Sequence, residues 1–431
     1  MNKPADEYKG TDLEGAKDGG SGISLRRLKT FESFKTPAYR IYYGAMAGQW
    51  LSMNMEMVVR PLLAYRITGS GAILGGLSLA HAIPLLLISL FGGAIADRVQ
   101  KKKILVAGQA SSAVVSIGIA LALTLGYLGE DYPGSWWLLA VSAVLQGIIM
   151  GFMMPSRTAI IPELVGEEQV MNAISLNNMG MNTFRILGPA LGGFLVASLG
   201  FGASYYTTTG VYIIGALFAV SIPHTRAITA PTTSTVSDIV EGVQYIRHRK
   251  TILLILAFSL LGMVFGMPYM FLMPMFTEDI LKVGATGMGI VMMVAGVGAI
   301  IGSLTLASLP NRKRGLMLII GSVIMGLALV GFSFSHWWAP SLFLIAFVGL
   351  GQTSQQTLSI TLAQAYVDAD YRGRVLSFLM MGIGFASIGT FLAGILAEAV
   401  GIQWSIGGFA MAMLLASLLV WAFTSRLREL D

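Results

Sequence analysis

The chain has 431 residues, of which 55% are hydrophobic and only 12% are charged. Soluble proteins carry about 25% charged residues, so this composition excludes a set of water-soluble domains and predicts an integral membrane protein. No cysteine occurs, which excludes disulfide frameworks, thiol catalysis and iron–sulfur ligation, and the formal charge of +6 indicates Lys and Arg retained on the cytoplasmic side of a membrane rather than nucleic-acid binding.

The first 37 residues are polar and mixed in charge, and they lack the apolar core of a signal peptide. We expect residues 1–37 to be a cytoplasmic tail. Within it, residues 23–34 (ISLRRLKTFESF) combine bulky apolar side chains with basic ones, as an interfacial amphipathic helix does. A disordered tail is the alternative.

Membrane-spanning helices need about 20 apolar residues. Twelve stretches of the chain meet this requirement, near residues 38–65, 71–96, 103–127, 135–156, 171–199, 204–222, 251–276, 286–309, 314–335, 338–364, 375–399 and 402–424. The sequence therefore predicts an all-α integral membrane fold with 12 transmembrane helices.

The basic residues predict the orientation of these helices. Of 28 Lys and Arg, only Arg66 and Lys282 fall in loops on one side, Arg60 and Arg185 fall inside spans, and the other 24 lie on the side that holds both termini. Because basic loops stay in the cytoplasm, we expect both termini inside.

A long polar stretch divides the twelve spans into six and six. We expect an N-terminal six-helix bundle over residues 38–222, a cytoplasmic linker over 223–250, a C-terminal bundle over 251–424 and a cytoplasmic tail over 425–431. Two similar bundles joined by a loop are typical of secondary transporters.

Several motifs resemble one transporter family. The loop GGAIADRVQKKK at 92–103 resembles the signature between the second and third helices of the major facilitator superfamily. The segments PSR at 155–157, IPELV at 161–165, RILGPALGG at 185–193 and YRGRV at 371–375 resemble its branch of enterobactin exporters and macrolide efflux proteins. Gln100 departs from the usual Gly or acidic residue before the basic triplet.

The resemblance implies a cytoplasmic gate and a bent fifth helix. The residues expected at the gate are Gly92, Gly93, Asp97, Arg98, Lys101, Lys102, Lys103 and Arg157, with Arg157 the candidate partner of Asp97. The alternative is that the basic run only fixes topology. The residues expected to bend or thin the fifth helix are Gly188, Pro189, Gly192 and Gly193.

Ionisable residues inside spans by default mark a transport or proton path. Glu56 and Arg60 lie four residues apart on one face of the first span, and Arg185 lies near the middle of the fifth, at a depth that predicts contact with Glu56. A local Glu56–Arg60 ion pair and a structural Arg185 are the alternatives. His81, in the second span, is either a proton relay or a packing histidine.

Amide side chains form a second polar set, which either lines a central cavity or joins helices by hydrogen bonds. These residues are Gln49, Asn54, Gln146, Gln352, Gln355 and Gln356. The 25 methionines supply adaptable apolar surface, although most of them must be ordinary packing residues.

We find no nucleotide-binding loop, catalytic triad or two-histidine metal spacing, so we expect no enzyme, no cofactor and no metal. The sequence favours a secondary active transporter in the plasma (inner) membrane. We expect a monomeric, proton-coupled exporter of amphiphilic or hydrophobic organic compounds that works by alternating access. The alternatives are a lysophospholipid or other lipid translocator and, from another class, a non-transporting scaffold or sensor.

Overall fold

The computed structural model describes residues 29–223, 235–310, 312–368 and 371–431, and within these ranges the regular structure is entirely helical. A short 3₁₀ helix at Lys29–Lys35 precedes the first long helix. The helices are α1 Pro37–Thr68, α2 Gly71–Arg98, α3 Lys101–Thr124, α4 Trp137–Ala159, α5 Ile161–Leu164, α6 Val170–Val220, α7 Thr235–His248, α8 Lys250–Gly266, α9 Pro268–Met275, α10 Gly284–Ser308, α11 Arg314–Ser333, α12 Trp338–Tyr366, α13 Arg372–Val400, α14 Ile402–Phe423 and α15 Ser425–Arg428.

Nine helical segments of the described chain are long and apolar enough to cross a membrane. One of them, residues 167–220, is 54 residues long and contains two of the predicted spans. The helices at Pro37–Thr68 and Trp338–Tyr366 are long but lie outside this set of nine. A multi-pass helical membrane protein is therefore confirmed, while the number of twelve spans and their orientation stay predictions.

Two of the helical segments are interrupted, one at a glycine and one at a proline. In α6, Gly200 has a φ of +83°, a conformation that glycine adopts at little cost, and this residue separates the predicted fifth and sixth spans. The predicted seventh span is divided at Pro268, where α8 ends and α9 begins. A π-helical turn, Phe276–Ile280, then continues α9.

The first six helices pack together, α8–α14 form a second group, and the two groups meet mainly along two pairs of helices, α2 with α13 and α6 with α10, with smaller contacts of α9 with α1 and α2. Small residues allow this close approach. A Cβ placed on Gly75 would lie 2.5 Å from the Cα of Phe391, and one on Gly289 would lie 2.6 Å from the carbonyl oxygen of Pro189. In the α2–α13 contact the hydroxyl of Ser78 donates to that of Ser387 at 3.0 Å.

Polar contacts join the two helix groups at one end of the molecule. In the predicted orientation this is the outer end. The guanidinium of Arg66, at the end of α1, pairs with Glu278 at 2.9 Å. In the following turn, the Ser70 hydroxyl and the Ala72 amide both donate to the Glu398 carboxylate. The α1–α2 turn is thus tied to two separate places in the second group.

The described parts of the segments expected to be tails and a linker make specific contacts with the helices. Residues 23–28 of the expected interfacial segment lie outside the described residues, but Ser33 donates from its hydroxyl to Asn172 at 2.7 Å. The predicted linker contains helix α7, whose Tyr245 ring stacks on Tyr371 with centroids 4.1 Å apart. At the C-terminus, the carbonyl of Leu430 accepts from the Gly315 amide at 3.0 Å.

The close contact between α10 and α12 gives a test of glycine packing. A Cβ at Gly298 would overlap the backbone of Ala346, whereas a Cβ at Gly118 of α3 would have nothing within 4 Å. We expect Gly298→Ala to lower the free energy of unfolding by about 1–3 kcal/mol through overpacking. Gly118→Ala should leave it unchanged or raise it, because alanine is the better helix former. Thermal unfolding in detergent measures both, and equal melting temperatures for the two variants would contradict the packing.

Candidate functional site

A small central cavity lies between the two helix groups, with a volume of about 30 Å³. Helices α1, α6, α9, α10 and α12 all contribute to its wall. The described lining residues are Asn54, Met57, Arg185, Pro189, Tyr269, Met270, Met273, Val291, Met292, Ala295, Gly296, Ile345 and Gln352. A mostly apolar cavity with a few polar groups is the usual form of a small-molecule site.

Arg185 lies at the middle of the part of α6 that precedes Gly200, and its neighbours hold that part of the helix against α1. A Cβ at Gly188 would lie 2.5 Å from the Cβ of Asn54, and one at Gly192 would lie 3.0 Å from the carbonyl oxygen of Met55. Pro189 lines the cavity four residues after Arg185. Because proline has no amide hydrogen, the Arg185 carbonyl loses its usual partner in the helix.

Three polar side chains share the cavity with Arg185. The hydroxyl of Tyr269 donates to the Gln352 side-chain oxygen at 3.2 Å, and the Gln352 amide group lies 3.3 Å from the sulfur of Met267. Asn54 donates to the carbonyl of Trp50 at 2.8 Å, within its own helix. These contacts fix the orientations of the polar groups on α1, α9 and α12.

A second polar site lies inside the first helix group and is centred on Glu56. One carboxylate oxygen, Oε2, accepts from Arg60 at 2.6 Å and from the Gln146 side chain at 3.5 Å. The other oxygen, Oε1, is buried without a hydrogen-bond partner in the described chain, as is Nε of Arg60. Gln146 also accepts from Ser112 at 3.1 Å, so α1, α3 and α4 meet at this carboxylate.

Further groups surround this pair. Tyr205 and Tyr212, from the part of α6 after Gly200, lie beside Glu56 and Arg60. His81 of α2 also lies near Arg60, with its Nδ1 3.3 Å from the carbonyl oxygen of Ala143. A buried carboxylate with one free oxygen, a cation and hydroxyl groups nearby has the chemistry needed to gain and lose a proton.

The structure does not bring Glu56 and Arg185 together. Glu56 forms the local pair with Arg60, and this pair is buried with side-chain exposures of 7% and 13%. Arg185 instead lines the central cavity. The reason is helical geometry: Asn54 and Met57 turn one face of α1 toward the cavity, while Glu56 and Arg60 lie on another face toward α4.

The predicted amides separate into two sets. Asn54 and Gln352 line the cavity, whereas Gln49 packs against the Met150 sulfur and Gln146 belongs to the Glu56 site. Gln355 is buried beside Gly262 in the second group, and Gln356 is half-buried. Three of the six amides, Gln49, Gln146 and Gln355, therefore serve contacts within one group rather than the cavity wall.

The expected cytoplasmic gate is described only in part. The side chains of Gly92, Gly93, Asp97 and Arg98 lie outside the described residues, and with them the expected contact of Asp97 with Arg157. Lys101 is buried and pairs with Glu163, Lys102 is half-buried and Lys103 is exposed. The Arg157 carbonyl accepts from the Tyr42 hydroxyl at 2.9 Å.

The residues expected to bend or thin the fifth helix, Gly188, Pro189, Gly192 and Gly193, lie in the part of α6 before Gly200. The backbone of α6 leaves the helical conformation at Gly200 and keeps it from Gly188 to Gly193. These glycines instead allow close contact: Gly188 and Gly192 meet α1, and Gly193 meets Ala285 of α10. A glycine-rich pattern is compatible both with close helix packing and with a helix bend. The sequence alone therefore does not distinguish packing from bending.

Sequence reasoning missed the tyrosines of both sites and Glu163. Tyr269, Tyr205 and Tyr212 are ordinary aromatic residues in apolar stretches, and their positions depend on how helices pack across long distances in sequence. Glu163 could have been found, because it lies in the IPELV motif close to the predicted basic loop. Among the described residues, no group of His, Asp and Glu is arranged to hold a metal ion.

A separate apolar groove lies among α7, α8 and α13, with a volume of about 410 Å³. Arg247 is its single charged lining residue among those described. The other described lining residues are Val243, Ile246, Leu253, Leu256, Ala257, Leu260, Met263, Phe378, Leu379, Met381, Gly382 and Phe385.

The buried Glu56–Arg60 pair predicts a large loss of stability when one partner is removed. Glu56→Gln or Arg60→Gln alone should each cost about 3–5 kcal/mol, because the remaining charge is buried and unpaired, and the double variant should cost less than the sum. The exposed pair Arg249–Asp368, with a separation of 3.1 Å, is the control and should contribute about 0–1 kcal/mol. Thermal unfolding of the detergent-purified variants measures these energies, and additive losses at Glu56 and Arg60 would contradict the pairing.

The chain is similar to known transporters over most of its length. It is 28% identical to the staphyloferrin A transporter of Staphylococcus aureus, over 76% of this chain and 82% of that protein. It is 26% identical to the multidrug efflux pump Tap of Mycolicibacterium fortuitum, over 88% of this chain and 93% of the pump. Macrolide efflux and enterobactin export proteins also match, as the motifs indicated.

A solved structure of a nucleoside transporter shares the fold, with a TM-score of 0.72 and 14% identity over 90% of this chain and 99% of the other. The family model described as "transmembrane secretion effector" matches residues 29–431. The chain therefore belongs to this family of the major facilitator superfamily, and its family is one of transporters rather than enzymes.

Proposed function

We propose that the protein is a proton-coupled exporter of amphiphilic or hydrophobic organic compounds. The observation that carries the proposal is the position of Glu56: its carboxylate is buried, one oxygen has no partner in the described chain, and its helix α1 also lines the central cavity. The site of proton exchange and the site of substrate binding are thus on two faces of one helix.

Coupling between the sites follows from the contacts of α1. When Glu56 is ionised, it holds Arg60 in an ion pair. A proton on the carboxylate removes the negative charge, leaves Arg60 without a partner and makes the present packing of α1 less favourable. Because α1 is in direct contact with Gly188 and Gly192 of α6, a shift of α1 moves the cavity wall that carries Arg185.

Alternating access is the proposed transport cycle. The contacts Arg66–Glu278 and Ser70–Glu398 close the predicted outer end, so this conformation would load substrate from the cytoplasm. Opening toward the outside requires these contacts and the α2–α13 packing to separate. Twelve spans in two six-helix bundles, with both termini in the cytoplasm, complete this proposal, together with a monomeric protein in the inner membrane.

Export, rather than uptake, is supported by relatives whose names describe efflux, including the multidrug pump Tap and macrolide efflux protein A. Chemically diverse names among these relatives agree with a cavity rich in methionine, which adapts to different shapes. A non-transporting scaffold is disfavoured, because a passive bundle has little reason to bury the Glu56–Arg60 pair.

Lipid translocation is the second candidate, and the groove among α7, α8 and α13 favours it. Its described wall is apolar apart from Arg247, which supplies a cation, as binding of an acyl chain with an anionic headgroup requires. The groove is built mainly from one helix group rather than from both. The central cavity therefore remains the better candidate for a substrate that crosses between the groups.

The role of Glu56 is tested by proton efflux in energised inside-out vesicles. We expect some members of a panel of hydrophobic cations, macrolides, catecholate siderophores and lysolipids to dissipate the pH gradient, and Glu56→Gln to abolish this effect because it cannot exchange a proton. Fluorescence of a pH-sensitive dye measures the gradient. A response to lysolipids alone would favour the lipid translocator.

The control for this experiment is Asp368→Asn, which neutralises an exposed carboxylate far in sequence from α1. The amounts of inserted, folded protein must match in all samples. Substrate-dependent dissipation that persists in Glu56→Gln would remove Glu56 from the coupling mechanism, and the absence of any response in the wild type would count against proton antiport.

Alternating access is tested by joining α2 to α13. The hydroxyl oxygens of Ser78 and Ser387 are 3.0 Å apart, and the chain has no native cysteine, so Ser78→Cys/Ser387→Cys should form a disulfide with little distortion. We expect oxidation of the double variant to stop transport and reduction to restore it. Each single cysteine variant is the control. Full transport by the cross-linked protein would show that these helices need not separate.

A further inference from the structure

The wall of the central cavity has an unbalanced charge. Arg185 is the one cation among its described lining residues, and none of those residues is acidic. The nearest carboxylate along the facing helix α1, Glu56, is already paired with Arg60 on another face. The cavity therefore presents positive charge at the middle of the helix bundle.

Several other basic side chains of the described chain have a carboxylate partner, which Arg185 lacks. Arg66 is paired with Glu278, Lys101 with Glu163 and Arg374 with Glu241. No carboxylate in the described residues lies within 4.0 Å of the Arg185 guanidinium. A charged side chain at this depth of a membrane protein is costly and by default has a functional partner.

The surroundings of Arg185 limit the chemistry of that partner. Guanidinium groups bind carboxylates through two parallel hydrogen bonds. Tyr269 and Gln352, which are joined by a hydrogen bond of 3.2 Å, add polar groups on the opposite helices. The remaining wall is apolar, with methionine on three helices: Met57, Met270, Met273 and Met292. An organic acid with an apolar body matches both parts of this wall.

We propose that the substrates of this transporter are amphiphilic organic acids whose carboxylate binds Arg185 in the central cavity. This proposal rests on the proposed function, which left the charge of the substrate open. It also assigns separate roles to the two buried arginines. Arg60 holds the proton-exchanging Glu56, and Arg185 selects the charge of the cargo.

Equilibrium binding of matched fluorescent probes tests the proposal. The probes are dansylglycine, which carries a carboxylate, dansylglycinamide, which is its neutral counterpart, and monodansylcadaverine, which is a cation. Fluorescence anisotropy with purified protein in a nonionic detergent gives the dissociation constant of each. We expect the wild type to bind the acid at least about tenfold more tightly than the amide, as a charge-assisted hydrogen-bonded pair provides.

Two substitutions of Arg185 identify the residue responsible. Arg185→Gln should remove the preference for dansylglycine over dansylglycinamide, and Arg185→Lys should keep part of it, because lysine retains the charge without the bidentate geometry. Arg249→Gln, which removes a cation from the exposed Arg249–Asp368 pair, is the matched control and should leave the preference unchanged. If Arg185→Gln does not fold, the wild-type and Arg185→Lys comparison still decides.

Equal binding of acid and amide by the wild type, stronger binding of the cation, or no binding of the acid would overturn the proposal. An unchanged preference in Arg185→Gln would do the same and would leave Arg185 a structural residue. Because the assay uses no pH gradient, its result is independent of proton coupling. An acid preference without gradient dissipation, or gradient dissipation without an acid preference, therefore identifies which of the two proposals fails.

Discussion

The contact between α1 and the first part of α6 is the constraint on which both polar sites depend. Gly188 and Gly192 have no side chain to separate the helices, so the backbone of α6 meets Asn54 and Met55 directly. At this distance α1 has no freedom to rotate independently. One of its faces is therefore held toward the cavity, and the other holds Glu56 and Arg60 inside the first helix group.

This arrangement explains why Glu56 of α1 and Arg185 of α6 do not form an ion pair with each other. An ion pair between Glu56 and Arg185 would neutralise the cavity and leave Arg60 buried alone, at a cost of several kcal/mol. The local pair removes that problem, because Arg60 follows Glu56 by one helical turn and lies on the same face. The cavity then retains a guanidinium for interactions with a ligand.

Much of the fold could be predicted from the sequence, because membrane helices follow from local composition. Helix boundaries such as those of α11 and α14 agree with the apolar stretches to within about two residues. The choice of Glu56, Arg185 and Asn54 as candidate residues also needed only their depth in a span. Which of them share a site did not follow, since that depends on helix rotation and on partners distant in sequence, such as Tyr269 and Gln352. The order in α7 was missed because a polar, amphipathic segment between spans resembles a linker.

The methionines of the cavity wall have a consequence for cells under oxidative stress. The chain has no cysteine, so thioethers are its only sulfur chemistry, and four of them line the cavity. Oxidation to the sulfoxide would turn each flexible apolar side chain into a polar, chiral one. Oxidants that reach the cavity would thus change the polarity of its wall. Reduction of the sulfoxides would restore the original apolar surface.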